Sequence, residues 1–172
     1  MIQALENSLA PLREMPLWGA GRAADMLWLQ FGARVGAPMA RDPNREVGEY
    51  AVHVMCPWRL SGSSGVITGQ NDMYVPADPD VDESDFRWDK AGSSIVDHQL
   101  RRWIQAHEQA PLRVVDISVD RCAGFILRFR HGIAFEIFPD AFSMPHDTRE
   151  HWRIFEPGRE TPHFVVNNHG WG

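Results

Sequence analysis

The densest cluster of side chains able to do chemistry is MPHDTREHW, residues 144–152, which carries His146, Asp147, Glu150 and His151. Imidazole nitrogens and carboxylate oxygens are ordinary zinc ligands, and zinc-bound water is a hydrolytic nucleophile. One helical turn presents ligands at i and i+4, as in H-E-x-x-H, whereas these two histidines are five apart. A metal-assisted hydrolase built on His146, Asp147 and His151 is therefore the alternative reading, and it requires tertiary structure to assemble the site. Asp78, Asp80, Asp82, Glu83 and Asp85 form a second acidic group, without the glycine and terminal glutamate of a calcium loop.

A second stretch, HVMCPWRL from His53 to Leu60, holds a thiol, an indole and a guanidinium. A nucleophilic cysteine needs a cation, a helix N-terminus or an imidazole beside it. His53 and Arg59 are each three residues from Cys56, an offset that points to the opposite face of a regular strand. Cys56 is accordingly expected in the core. Pro57 cannot donate to a ladder and marks an edge or a bulge, where Trp58 and Arg59 could stack on a planar group or grip a carboxylate. Asp72, Tyr74 and Trp88, from the loop after GVITG, are the expected neighbours. Trp58, Arg59, Asp72, Tyr74 and Trp88 are thus the candidate partner-binding set, and the competing reading makes Trp58 core and Arg59 a structural ion pair.

The elements that must position these groups follow from periodicity. Ile2, Leu5, Leu9 and Leu12 predict a short N-terminal helix, PLWGAGRAAD a loop, and Met26 to Val35 a strand. EYAVHVMCPWRL alternates, with Tyr50, Val52, Val54 and Cys56 on one face. SGSSG reads as a turn and GVITG as its partner strand. Asn71 to Gly92 reads as an ordered acidic loop anchored by Tyr74, Phe86 and Trp88. SSIVDHQLRRWIQAHEQ is the main helix. It is capped by Ser94 and Asp97, it carries the apolar stripe Val96, Leu100, Trp103, Ile104 and His107, and Asp97 with Arg101 is expected on its outer face. LRVVDISV, GFILRF, IAFEIF and a pair around WRIF and HFVV supply the remaining strands. A three-residue loop, Arg130 to Gly132, sets Phe129 opposite Ile133, Leu127 opposite Phe135 and Phe125 opposite Ile137, leaving Arg128 near Glu136.

The expected fold is α+β: a curved, mainly antiparallel sheet packed on one main helix, in a single domain spanning residues 1–172. The 172 residues carry a net charge of −6 with scattered basic groups, so no nucleic-acid stripe is present. Two cysteines make no disulfide framework, and no apolar run approaches a membrane span, which leads to the expectation of a cytoplasmic protein. Nucleotide loops and serine-nucleophile motifs are absent from the sequence, and no cofactor is expected.

The order of YAVHVMCPWRL, GVITGQNDMYVP, RWD, the FILRF–FEIFPD hairpin, WRIF and HFVV, over about residues 26 to 166, resembles a family of small bacterial proteins without an assigned activity. Some domains of that kind look like immunity or accessory proteins beside toxins. No residue role carries over from that family; the leading reading is a non-catalytic, immunity-like binding protein that recognises a protein or peptide, such as a toxin, through a sheet edge and the acidic loop, a reading that the seven tryptophans favour. A structural homodimer pairing through an exposed edge is the third reading.

Overall fold

Alternating apolar residues make strands the main regular element of this chain. A computed structural model describes residues 2–140 and 148–172. A helix α1 (Ile2–Leu9) runs into a 3-10 turn at Ala10–Leu12 and is followed by β1 (Pro16–Ala23), β2 (Met26–Gly36) and β3 (Glu46–Val54). Next come β4 (Trp58–Gly62), β5 (Gly65–Gly69), a 3-10 turn at Gln70–Tyr74 and the longer helix α2 (Ile95–Ala106). The chain continues through β6 (Leu112–Val119), β7 (Phe125–Phe129), β8 (Ala134–Ile137), β9 (Glu150–Phe155), β10 (Phe164–Asn167) and β11 (Gly170–Trp171). Among the described residues the strands form one antiparallel sheet in the order β11-β10-β9-β3-β2-β1-β6-β7-β8-β4-β5. With two helices added, the fold is α+β. No helix among the described residues is long and apolar enough to cross a membrane.

That order forces the sheet to fold back on itself. β3 and β4 are six places apart, yet only Met55, Cys56 and Pro57 join them. Six strand spacings in a flat sheet span about 29 Å, whereas that link reaches on the order of 15 Å. The bend falls at β6, which pairs with β1 only through Leu112 and Arg113 and with β7 from Val114 onward. Two facing layers result. Trp152 of β9 meets Phe125 of β7 at a centroid distance of 4.9 Å, and its indole N–H donates to the Ala123 carbonyl at 2.8 Å. Val96, Leu100 and Trp103 of α2 and Leu5 and Leu9 of α1 join the same core. Trp103 stands edge-on to Phe135 at 5.6 Å.

Several expectations are corrected. PLWGAGRAAD is not a loop but contains all of β1; Gly21 is needed there because a Cβ would overlap the Trp28 ring on the neighbouring strand. EYAVHVMCPWRL is two strands rather than one, broken at Cys56 and Pro57 where the chain passes between layers. β9 and β10 are separate partners, with Phe164 opposite Ile154. Asp97 does cap α2, but it lies inside the protein and not on an outer face with Arg101: it holds Arg22 of β1. In the acidic loop Tyr74 and Trp88 are exposed and pack on each other at 5.5 Å, while the fully buried anchor is Met73.

The hairpin register matches the reading from sequence. Phe125 pairs with Ile137 and Leu127 with Phe135, and the Phe129 N–H donates to the Ile133 carbonyl at 2.8 Å. Gly132 has φ +71° and His131 +62°, both left-handed. A Cβ at Gly132 would meet nothing nearer than Ser63 at 3.9 Å, so a side chain there is penalised by backbone strain alone. Gly132→Ala is expected to destabilise by about 1 kcal/mol, read as a lowered denaturation midpoint. An unchanged midpoint would show that the turn does not depend on that conformation.

Candidate functional site

The Arg59 side chain is half exposed, on the outer face of the layer formed by β6, β7, β8, β4 and β5. The pairing of β4 with β8 sets Arg59 opposite Glu136, and β7 and β6 extend the row through Ile126 and Ser118. The guanidinium and carboxylate meet bidentately: Nε donates to Oε1 at 2.9 Å and Nη2 to Oε2 at 2.6 Å. The Ser61 hydroxyl adds a third donor to Glu136 at 3.1 Å. The hydrogen bonds from Arg59 hold the Glu136 carboxyl below its usual range, against the opposing effect of partial burial. The expected neighbour of Glu136, Arg128, instead donates to Asp116 at 3.0 Å and to Ser118 at 2.9 Å, because Ile126 is the residue directly opposite Glu136.

A cavity opens on each side of Arg59. One, of about 350 Å³, runs over β6 and β7 past Ser118, Ile126 and Glu136. The other, of about 420 Å³, lies toward β5 and the following turn, past Val66, Asn71 and Asp72. Phe138 borders both and is 43% exposed, and Val66 is 65% exposed. β5 ends the sheet, with no strand beyond it among the described residues.

The five expected site residues do not assemble as one set. Trp58, Arg59 and Asp72 line the same cavity, but the Asp72 carboxylate is already occupied by the Thr68 hydroxyl at 2.7 Å and the Gly69 N–H at 3.2 Å, closing the turn after β5. Trp58 is 2% exposed with its ring 6.0 Å from Phe135, so its side chain fills core; the alternation of β4 turns it inward as it turns Arg59 outward. Tyr74 and Trp88 make their own exposed pair and line neither cavity beside Arg59. Pro57 does not mark a sheet edge either, because it lies just before β4, which has β5 and β8 on its two sides. The missed residues are Glu136 and Phe138. Their hairpin was legible, but nothing local pairs β8 with a strand more than 70 residues earlier.

Cys56 is 4% exposed, and burial pushes its thiol up to about 12, which removes it as a nucleophile at neutral pH. His53 lies on the opposite face, edge-on to Phe155 at 4.8 Å, and burial and then the Arg153 charge lower its pKa. Both cysteines are free, Cys56 buried and Cys122 exposed. His146 and Asp147 lie outside the described residues. His151 is buried, and the described residues contain no group of three or more His, Cys, Asp or Glu side chains arranged to hold a metal.

The fold and this surface define a small antiparallel α+β protein with an arginine-centred groove. Comparisons with protein-family models, with curated proteins and with solved structures returned no match.

Proposed function

We propose that this protein binds a polypeptide segment across the Arg59–Glu136 face, alongside the open edge of β5, and performs no chemistry on it. The observation that carries this reading is an exposed, bidentately held arginine beside a 43%-exposed phenylalanine, between two cavities. Arginine and aromatic side chains dominate the energetics of protein interfaces. A terminal strand offers unpaired backbone groups to an incoming extended segment, and flanking depressions accept its alternate side chains. Glu136 orients the guanidinium without burying it, so a partner carboxylate can share the donors. An immunity-type protein would use the same face, its polypeptide being a toxin.

The test is a displayed-peptide selection on the wild-type protein, with hits measured against Arg59→Ala and Phe138→Ser. Both positions are exposed, so melting temperatures should stay near wild type. Affinities should fall on the order of 30-fold for Arg59→Ala, as for a hot-spot arginine. Peptides that bind Arg59→Ala as tightly as wild type would overturn the proposal, as would a selection that enriches nothing.

A further inference from the structure

A third cavity lies at the other end of the two layers, where the β6–β7 turn meets β9, β10 and β11. Its volume is about 500 Å³, and its walls include Arg121, Cys122, Asp140, His151, Val166 and Trp171. His151 is placed there by an irregularity in the sheet. Val166 pairs with Trp152 and Asn167 with Glu150, so His151 is an extra residue in β9, a bulge. Trp152 points inward and Arg153 outward, and the bulge breaks that alternation and re-aims His151. Its carbonyl is used by the Met55 N–H at 2.8 Å, which fixes the backbone.

The ring itself has no hydrogen-bond partner among the described residues. His151 is 6% exposed, yet none of the hydrogen bonds or ion pairs among the described residues involves its imidazole, and it faces the cavity. An imidazole that opens onto a cavity can donate to or accept from a molecule bound there. Two opposite charges line the same cavity. Arg121 and Asp140 are both exposed, and among the described residues neither forms an ion pair. Trp171 and Val166 supply apolar surface in the same cavity.

We propose that this cavity binds a small zwitterion of the α-amino-acid class. Its carboxylate bonds Arg121, its ammonium group faces Asp140, and its side chain lies against Trp171 and Val166 with a polar group hydrogen-bonded to the His151 ring. A bidentate guanidinium–carboxylate contact sets the orientation, and the unpaired imidazole selects for a hydrogen-bonding side chain. Asp140 borders both this cavity and the one between Arg59 and β5, whereas Arg121, His151, Val166 and Trp171 line this cavity and neither of the two beside Arg59.

Cys122, exposed on the cavity wall, is a built-in reporter, since Cys56 is buried and unreactive. The experiment screens the free proteinogenic amino acids at millimolar concentration by saturation-transfer NMR. In parallel, the rate at which iodoacetamide alkylates Cys122 is followed by intact mass. At least one amino acid should show transfer and slow the alkylation, while its decarboxylated amine and its deaminated acid should bind far more weakly. Arg121→Ala, an exposed change, should weaken binding at least about tenfold, through loss of the bidentate charge-assisted contact. His151→Gln should change which amino acid is preferred. Absence of transfer for every amino acid would overturn the proposal, and so would equal binding by the amine and acid analogues or by Arg121→Ala.

Discussion

Arg22→Ala should cost about 3–5 kcal/mol of folding stability, the loss typical of a buried ion pair broken on one side. The Arg22 side chain is 1% exposed and that of Asp97 9%. Nε and Nη2 of Arg22 donate to the two Asp97 carboxylate oxygens at 2.8 and 2.7 Å. The same guanidinium donates to the carbonyls of Ala24 and Lys90 at 3.0 Å and to the Ser94 hydroxyl at 3.1 Å. One side chain of β1 thereby ties down the first turn of α2, the end of the acidic loop and its own hairpin. Chemical denaturation of Arg22→Ala, Asp97→Ala and the double variant measures this directly. Each single change should be severe, and the double should cost far less than their sum, because it leaves no unpaired charge. Strict additivity would show that the pair is not coupled.

The pair also has a pH signature. Burial alone would raise the Asp97 pKa, but hydrogen bonds from Arg22 and Ser94 outweigh it and hold the carboxyl below its usual value. A carboxyl depressed in the folded state stabilises fully above its unfolded pKa, and that contribution disappears as pH falls through the folded value. The stability gap between wild type and Asp97→Asn should therefore be widest near neutrality and should close as pH drops through and below the ordinary carboxylate range. A gap that stays constant into acid would contradict the ionised pair.

Trp152→Ala is the second large effect, expected at about 3–5 kcal/mol for loss of a large buried aromatic. Trp152 is fully buried, joins the two layers through Phe125 at 4.9 Å and its N–H bond to Ala123, and packs at 6.0 Å on Phe164 of the neighbouring strand β10. Trp152→Phe keeps a ring in place but strands the Ala123 carbonyl, and should cost about 1–3 kcal/mol. Denaturation midpoints of the two variants separate packing from hydrogen bonding. Equal losses would mean that the hydrogen bond, not the ring, holds the layers together.

Local patterns carried much of this architecture. A period of two located β2, β6, β7 and β8, because one buried face imposes alternation on any strand. Register in the β7–β8 hairpin followed from the same rule, since a slip of one residue would bury Glu136 and expose Phe135. The cap and stripe of α2 were visible for the corresponding helical reason, and the burial of Cys56 followed from its place among Val52 and Val54. β1 was misread because its glycines, which signal a loop locally, answer to a tryptophan on another strand.

Everything about the candidate sites was non-local. Arg59 and Glu136 are 77 positions apart, and Arg22 and Asp97 are 75 apart. Neither pair lies on one strand or one helical face, so no periodicity could join them. Trp58 and Arg59 are neighbours in the chain, and the alternation of a single strand sends one into the core and the other to the surface. His151 left that alternation because a bulge in β9 added a residue, and a bulge is defined only against the partner strand. Pattern along the chain records which face a residue prefers; the return of the sheet upon itself decides which faces meet.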